Sequence, residues 1–299
     1  MMIVSQSGDK VRVLGIDENG YGPMLGPLVV TGVLLEFDGE PFEELKTENF
    51  NFPIKVQDSK KVFSRTPSSY AAGEILTWGI LLAGGFEATD IRTMIKKISG
   101  EDVNLHPEIE VPIWAKKAIN LEIPAYLKKV GIRVLEIKAK IVHPRDFNEM
   151  LEFVENKALL DYLLFEHLLY RMQFDFDVAM MGKIGGTKFY ESNFFMHTGA
   201  QVVETYEEKK EISGYRLMLP HRVFDAYFIL NGDEKYLPIT LASIIGKYLR
   251  EVFMLSLNYE AGFKDPIPYA SGYRHDSRTI ELLEKLKEKY PEEEIVRQK

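Results

Sequence analysis

Two adjacent carboxylates, Asp17 and Glu18, are the residues best suited to chemistry, because they follow an apolar run and precede a turn. The run Val11 to Ile16 is typical of a buried strand, and the turn is rich in glycine and proline. Side chains alternate across a strand, so we expect the strand to end here and the Asn19-Gly20 step to swing Glu18 toward the side that Asp17 faces. Carboxylates beside a glycine-lined backbone suit a hard cation and a phosphate. An ordinary charged strand end is the simpler alternative.

The glycines of this turn fit neither of the common nucleotide-binding loops. Gly20, Gly22 and Gly26 lack the G-x-G-x-x-G spacing of dinucleotide-binding loops, and no Gly-Lys-Ser/Thr follows for a P-loop. Carboxylates also stand where such a loop would bring a pyrophosphate close. Both loop classes are therefore excluded.

Two later strand ends repeat the pattern of an apolar run, a glycine and then charge. One ends at Gly182-Lys183 and the other at Asp233-Glu234. If the three strand ends converge, Asp17, Glu18 and Asp233 can hold one or two Mg²⁺ or Mn²⁺ ions, which activate water and stabilise the leaving oxygen of a phosphodiester. Basic residues are then expected to ring the site: Lys60, Lys61, Lys183, Lys188, Lys235, Lys247 and Arg250.

The composition is that of a globular protein, with 299 residues of which 45% are hydrophobic and 27% charged. The absence of cysteine excludes disulfides, zinc–thiolate sites and thiol nucleophiles. A formal charge of −8 gives no overall attraction to nucleic acid, so such binding needs a local basic patch or bound cations. The N-terminal residues lack the apolar segment of a signal peptide, and the apolar runs are too short to span a bilayer. We expect a cytoplasmic protein with no membrane segment.

Strands and helices alternate irregularly along the chain, which favours an α/β fold with a mixed sheet flanked by helices. Leu28 to Phe37 is predicted to pair antiparallel with the first strand. Helical spacing occurs over 68–98 and, in the longest stretch, over 145–172. Residues 99–127 are predicted to form a loop-rich insertion, and a helical tail is expected from about 277.

Five short motifs occur in the order found in ribonuclease HII, which the chain therefore resembles. They are the Asp-Glu-x-Gly-x-Gly-Pro and Gly-Pro-Leu-Val-Val stretch at 17–30, Asp-Ser-Lys-Lys at 58–61, Asp-x-Lys-Tyr at 233–236, Ala-Ser-Ile-x-x-Lys at 242–247, and Ser-Gly-Tyr at 271–273. Each motif is weak alone, but their common order makes coincidence improbable. The resemblance runs across most of the chain and excludes 99–127.

The resemblance implies a ribonuclease H-like fold, with a mixed five-stranded sheet flanked by helices in a single domain over residues 1–299. It implies metal-dependent cleavage of RNA in RNA–DNA hybrids, or at a ribonucleotide in duplex DNA, leaving a 5′-phosphate. The implied metal ligands are Asp17, Glu18 and Asp233, with Mg²⁺ or Mn²⁺. The implied substrate contacts are Gly20, Tyr21, Gly22 and Tyr273 at the ribose 2′-hydroxyl, and Lys60, Ser243 and Lys247 at phosphates.

The chain departs from the family pattern at its fourth carboxylate. That residue ends the central strand as Val-Asp-Gly in the family, and here it aligns with Gly182. Asp177 is a poor substitute, because its odd offset along the strand puts it on the opposite face. In addition, Tyr21 stands where arginine is frequent, and Arg274 where proline is frequent.

Three functions therefore stay open. The chain is a hybrid nuclease with an altered metal site, using one ion or a carboxylate that the sequence does not place. Alternatively, it is a weakened or inactive relative that binds nucleic acid without cleaving it, or an enzyme for another phosphodiester. We expect a monomer whose partner is an RNA–DNA hybrid.

Overall fold

The computed structural model describes residues 10–87, 90–117, 121–154, 156–193, 195, 199–268 and 270–298. Within them, one mixed sheet has seven strands in the order β3-β2-β1-β4-β7-β6-β5. The strands are β1 (Lys10–Asn19), β2 (Leu28–Asp38), β3 (Arg133–Val142), β4 (Val178–Gly182), β5 (Gln201–Glu208), β6 (Ile212–Leu219) and β7 (Arg222–Ile229). The mixed sheet is confirmed, but the expected number of five strands is wrong, because the β5–β6 hairpin extends the same sheet beyond β7.

Helices cover both faces of this sheet. They are α1 (Pro41–Glu44), α2 (Ser59–Val62), α3 (Pro67–Ala83), α4 (Ile91–Ser99), α5 (Glu122–Lys129), α6 (Pro144–Leu151), α7 (Lys157–Arg171), α8 (Tyr190–Asn193), α9 (Gly232–Lys235), α10 (Leu237–Glu260), α11 (Ser277–Lys287) and α12 (Glu292–Ile295), with a 3₁₀ turn at Thr47–Asn49. In the described part of the chain, no helix combines the length and the apolar character needed to cross a membrane.

Three central strands run parallel, and this sets the position of the candidate site. β4 pairs in parallel with β1 on one side and with β7 on the other, with Ile16 opposite Met181 and Gly182 opposite Ile229. The carboxyl ends of β1, β4 and β7 therefore lie at one edge of the sheet. The antiparallel pairing of β1 with β2 is confirmed, from Lys10–Asp38 to Asn19–Val29.

Helix α10 lies against β1 and β2 on one face, and α7 packs on the other. Gly15 allows the first approach, because a Cβ built there would lie 2.1 Å from the carbonyl carbon of Pro238. On the α7 face, Ile16 belongs to the same buried cluster as Leu160 and Phe165. The two helices thus enclose the end of β1 from opposite sides.

Two predicted helical stretches are each divided in two. The 68–98 stretch breaks after Ala83 at a Gly-Gly pair, and the 145–172 stretch breaks between α6 and α7. Asn156 begins α7 as its cap, its side chain accepting a hydrogen bond from the Leu159 N–H at 2.9 Å. The longest described helix is α10, and not the 145–172 stretch. The insertion lacks helix and strand over 100–117 and then enters α5, while residues 118–120 lie outside the described part.

Candidate active site

A small cavity at the carboxyl ends of β1, β4 and β7 holds the three predicted carboxylates. Its volume is about 160 Å³ and its lining includes Asp17, Glu18 and Asp233, with Gly182 at the end of β4. We call this cavity the carboxylate pocket. The convergence of three strand ends follows from the parallel pairing of β4 with both neighbours.

The expectation that β1 ends at Asp17-Glu18 is wrong. The ladder with β2 continues to Asn19, so the two carboxylates keep the strand's alternation and leave on opposite faces. Both nevertheless line the carboxylate pocket, because the neighbouring strand β4 ends beside them at Gly182. A Cβ built at Gly182 would lie 2.6 Å from Asp17 Oδ1 and 3.6 Å from Glu18 Oε2.

The two carboxylates have different neighbours. Asp17 lies on the α10 side. Burial, with the charges of Glu18 and Asp233, raises the pKa of Asp17 well above its usual value, and the Ser243 side chain on α10 opposes the rise. Burial also raises the pKa of Glu18, and the strongest neighbouring charge acting on it is that of Asp161 on α7.

Asp233 completes the predicted set from the short helix α9. The chain enters this helix through Asn231, whose φ of 54° is left-handed. Burial raises the pKa of Asp233, the charge of Asp58 adds to the rise, and Lys60 opposes it. Carboxylates that raise each other's pKa lack sufficient positive charge nearby, which is the condition that a divalent cation relieves.

Oxygen donors of this kind fit Mg²⁺ or Mn²⁺, which prefer carboxylate ligands. As the side chains stand in the described residues, however, no three of the Asp, Glu or His groups are arranged to close around one ion. Binding would therefore have to draw the carboxylates together. A bound cation would favour this movement, because it relieves the mutual repulsion of the buried carboxylates.

Asp161 is a further acidic residue at this place, which sequence reasoning missed. It is 1% exposed, and neither carboxylate oxygen has a hydrogen-bond partner in the described part of the chain. Burial, together with the charge of Asp17, raises its pKa to about 8. The available signal was an acid among apolar residues at helical spacing, beside Leu160 and Leu164. By contrast, Asp177 is exposed and precedes the opposite end of β4, where it accepts a hydrogen bond from the Arg12 N–H at 2.8 Å.

A larger groove adjoins the carboxylate pocket and shares Glu18, Asn19 and Lys60 with it. The groove has a volume of about 400 Å³, and its lining includes most of the predicted substrate contacts: Gly20, Tyr21, Gly22, Lys60, Lys247 and Tyr273. We call it the substrate groove. Tyr273 packs onto the backbone at Gly22, where a built Cβ would lie 2.9 Å from its Cε1. A side chain at Gly22 would therefore displace this ring.

The C-terminal segment supports the loop that forms the floor of this groove. The Arg297 guanidinium donates through Nη2 to the carbonyl oxygens of Gly20 and Pro23. Its backbone N–H donates to Met24 O at 2.9 Å. Burial, with the charge of Arg250, lowers the pKa of Arg297 to about 9. Sequence reasoning missed Arg297 because only the fold brings it to the loop.

The expected ring of basic residues is only partly formed. Lys60 lines both cavities. Lys61 pairs with Glu234 at 3.0 Å, and Lys247 pairs with Glu251 on α10. Lys183 donates to Thr187 O, Lys209 O and Ser213 Oγ at 2.7–2.9 Å, which holds its ammonium on nearby loops.

The other expected cations have less direct access. Lys235 donates to Leu230 O at 2.8 Å, and Lys188 is exposed on the loop after β4. Arg250 is 3% exposed and donates to the carbonyl oxygens of Leu25 and Ser271 at 3.2 Å. Ser243, expected at a phosphate, is 1% exposed and donates to Ser59 Oγ at 2.9 Å. These contacts place Ser243 behind Asp17 and not on the groove surface.

Comparison with known proteins relates these features to one family. Residues 201–299 match the family Ribonuclease HII. A curated ribonuclease HII of Methanocaldococcus jannaschii is 32% identical over 129 residues, which is 43% of this chain and 47% of that protein. The chain is thus similar to ribonuclease HII over its C-terminal third in the family comparison and over 129 residues in the pairwise comparison. It spans about half the length of the curated ribonuclease HII that it matches.

Solved structures show the same fold. Ribonuclease H2 from Pyrococcus horikoshii is similar with a TM-score of 0.50 and 18% identity, over 96% of this chain and 92% of that one. The ribonuclease HII of Archaeoglobus fulgidus, in a complex with PCNA, is similar with a TM-score of 0.46 and 17% identity, over 97% and 95%. The similarity to the Pyrococcus horikoshii structure confirms the ribonuclease H-like fold. The family match includes Asp233 and α10 and leaves β1 and β4 outside it.

Proposed function

We propose that this protein is a metal-dependent endoribonuclease that cuts RNA in RNA–DNA hybrids or at a ribonucleotide in duplex DNA. The observation that carries the proposal is the meeting of Asp17, Glu18 and Asp233 in one pocket that opens into the substrate groove. The relationship to ribonuclease HII supports it. A nuclease needs acidic ligands for a cation beside a surface for a polyanion, and the two cavities provide both.

Asp17, Glu18 and Asp233 would hold Mg²⁺ or Mn²⁺ in the carboxylate pocket. When bound, such an ion lowers the pKa of a coordinated water and neutralises charge on a leaving oxygen. Ser243 lies beside Asp17 and favours its charged form, which is the form that binds a cation. Lys60 binds a phosphate where the pocket and the groove meet, because it is the basic residue common to both linings.

The substrate groove supplies the contacts for recognising RNA. The backbone from Gly20 to Gly22 and the exposed ring of Tyr273, 38% exposed, lie on the same side of the groove. Backbone N–H groups and a tyrosine hydroxyl can bond the ribose 2′-hydroxyl, which DNA lacks. Lys247 is partly withdrawn by its pair with Glu251, so we assign it a weaker phosphate contact than Lys60.

Binding without cleavage is the second candidate function. It is favoured by Gly182, which leaves β4 without the carboxylate that the family resemblance implies. A reduced ligand set would weaken the hold on a metal ion while leaving the substrate groove intact. The two functions predict the same binding and different products.

The test uses end-labelled 20-base-pair substrates of four kinds: an RNA–DNA hybrid, duplex DNA with one ribonucleotide, all-DNA and all-RNA duplexes. Each is incubated with the protein in Mg²⁺, in Mn²⁺ and in EDTA. We expect cleavage of the first two substrates only, dependent on metal, with 5′-phosphate on the downstream product. Hybrid binding without product in either metal would establish the second candidate, and equal cutting of all-DNA duplex would contradict the proposal.

A further inference from the structure

Asp161 has no hydrogen-bond partner among the described residues. It lies in the first half of α7 and is 1% exposed, and both of its carboxylate oxygens are buried. Buried polar groups are almost always hydrogen-bonded, and an unpaired buried carboxylate costs several kcal/mol in free energy. A carboxyl group kept at such a cost usually serves a ligand or a reaction.

The cations closest to Asp161 are engaged elsewhere. Lys157, one turn earlier, places its ammonium over the ring of Tyr21, 4.5 Å from the centroid. Arg297 donates to loop carbonyls and lies over Phe147, 5.2 Å from the ring centroid. Among the described residues, neither forms an ion pair with Asp161 within 4.0 Å.

Asp161, on α7, lies close enough to the two carboxylates of β1 for their charges to act on one another. Its charge is the strongest of those acting on Glu18, and the strongest charge acting on Asp161 is that of Asp17. Glu18 leaves β1 on the face that α7 covers, because it alternates with Asp17 along the strand and shares its face with Ile16, which packs in the α7 cluster. Asp161 on α7 is therefore on the same side of the sheet as Glu18.

We propose that Asp161 supplies a carboxylate ligand to the divalent ion from helix α7, replacing a ligand at the end of β4. The proposal rests on the proposed function, since it concerns the same ion as Asp17, Glu18 and Asp233. It explains why Asp161 is buried without a partner and why the strand end can be glycine.

The test measures metal binding directly, without nucleic acid. Free Mn²⁺ is titrated by electron paramagnetic resonance at pH 7.5 against the wild-type protein, Asp161→Asn and Asp225→Asn. Asp225 is the matched control: it is 3% exposed, lies in the first half of β7 beside the start of β4, and accepts a hydrogen bond from the Tyr206 hydroxyl at 2.8 Å. We expect the Mn²⁺ affinity of Asp161→Asn to fall at least about tenfold and that of Asp225→Asn to remain unchanged.

Thermal unfolding in EDTA separates a ligand from a structural residue. Asp161→Asn removes an unpaired buried acid, so its Tm should equal or exceed that of the wild type. Asp225→Asn breaks a formed hydrogen bond and should lower Tm. A Tm decrease for Asp161→Asn as large as that for Asp225→Asn would show that Asp161 is structural, for example through Arg297, and would overturn the proposal.

The outcomes distinguish this inference from the proposed function. Unchanged Mn²⁺ affinity in Asp161→Asn, with metal-dependent cleavage by the wild type, would overturn the role of Asp161 and leave the nuclease standing. No Mn²⁺ binding and no cleavage by the wild type would overturn both. Weakened Mn²⁺ binding in Asp161→Asn with an undiminished Tm supports Asp161 as a ligand, whether or not the wild type cleaves.

Discussion

Gly182 and Asp17 lie so close that a side chain at the strand end requires the Asp17 carboxylate to shift: a Cβ at residue 182 would stand 2.6 Å from Asp17 Oδ1. The Asp17 carboxylate thus borders the space that a ligand at the end of β4 would need. The family resemblance places a carboxylate at this position. In this chain, restoring it would displace Asp17.

We therefore predict that Gly182→Asp does not create or increase nuclease activity. The new side chain would overpack the site and lower the free energy of unfolding by about 1–3 kcal/mol. Hybrid cleavage in Mn²⁺ should fall as Asp17 moves. Gly182→Ala carries the same Cβ without charge and should show most of the loss in Tm. A Gly182→Asp protein that cuts faster than the wild type would contradict this arrangement.

Lys60 and Lys61 provide a matched pair for the phosphate contact. Lys60 lines both cavities, whereas Lys61 pairs with Glu234 at 3.0 Å. Lys60→Ala should weaken hybrid binding and reduce the slope of log K against log salt by about 1, the value for one phosphate contact. The measurement is fluorescence anisotropy at several salt concentrations in EDTA, where no cleavage occurs. An equal change in slope for Lys61→Ala would refute the assignment.

Arg297 should stabilise the loop at the base of the substrate groove. Arg297→Met removes the donor to the Gly20 and Pro23 carbonyl oxygens and leaves them less satisfied. We expect a loss of about 1–3 kcal/mol in the free energy of unfolding, together with weaker hybrid binding. Arg145→Met is the control, since Arg145 is exposed and pairs only with Glu149 at 3.0 Å in the described residues. Unchanged hybrid binding in Arg297→Met would show that the C-terminal segment does not contribute to binding in the substrate groove.

His143 should make stability depend on pH. Burial lowers the pKa of His143 below its ordinary value of 6.5, which outweighs the opposite influence of Asp146 and Glu101 and adds to that of Lys140. The unfolded chain therefore binds more protons at this ring, so stability is full above about pH 6.5 and decreases as the pH falls below it.

The measurement is Tm between pH 5 and 8 for the wild type and two substitutions. His143→Gln should flatten the acidic decrease, and His221→Gln, at an exposed position, should leave it unchanged. If His143→Gln retained the full decrease, the titration would belong to other groups.

The sequence was sufficient for a mixed sheet and for the meeting of its strand ends, but not for the number of strands, which is seven and not five. Apolar runs that end in glycine and charge predicted that Asp17, Glu18 and Asp233 lie together, and parallel pairing explains why they do. The end of β1 could not be predicted, because the partner strand β2 extends the ladder to Asn19. Only the pairing determines where such a strand stops.

The positions of Asp161 and Arg297 could not be predicted from local sequence patterns. Each comes to the site through packing between elements far apart in the chain: α7 against β1, and the C-terminal segment against the loop after β1. An acid at an apolar position of the helix was visible in the sequence, but nothing there identified its neighbours. Likewise, the sequence motif predicts that Ser243 contacts a phosphate, but in the structure Ser243 is buried beside Asp17.

The most direct test of the nuclease proposal compares two aspartates with the same substitution. Asp17→Asn changes the center of the carboxylate pocket, and Asp175→Asn changes an exposed side chain, 84% accessible, before the opposite end of β4. Single-turnover cleavage of a labelled RNA–DNA hybrid is measured in Mn²⁺ for both and for the wild type. We predict a loss of at least about a hundredfold for Asp17→Asn and no change for Asp175→Asn. Equal cleavage by all three proteins would contradict the account.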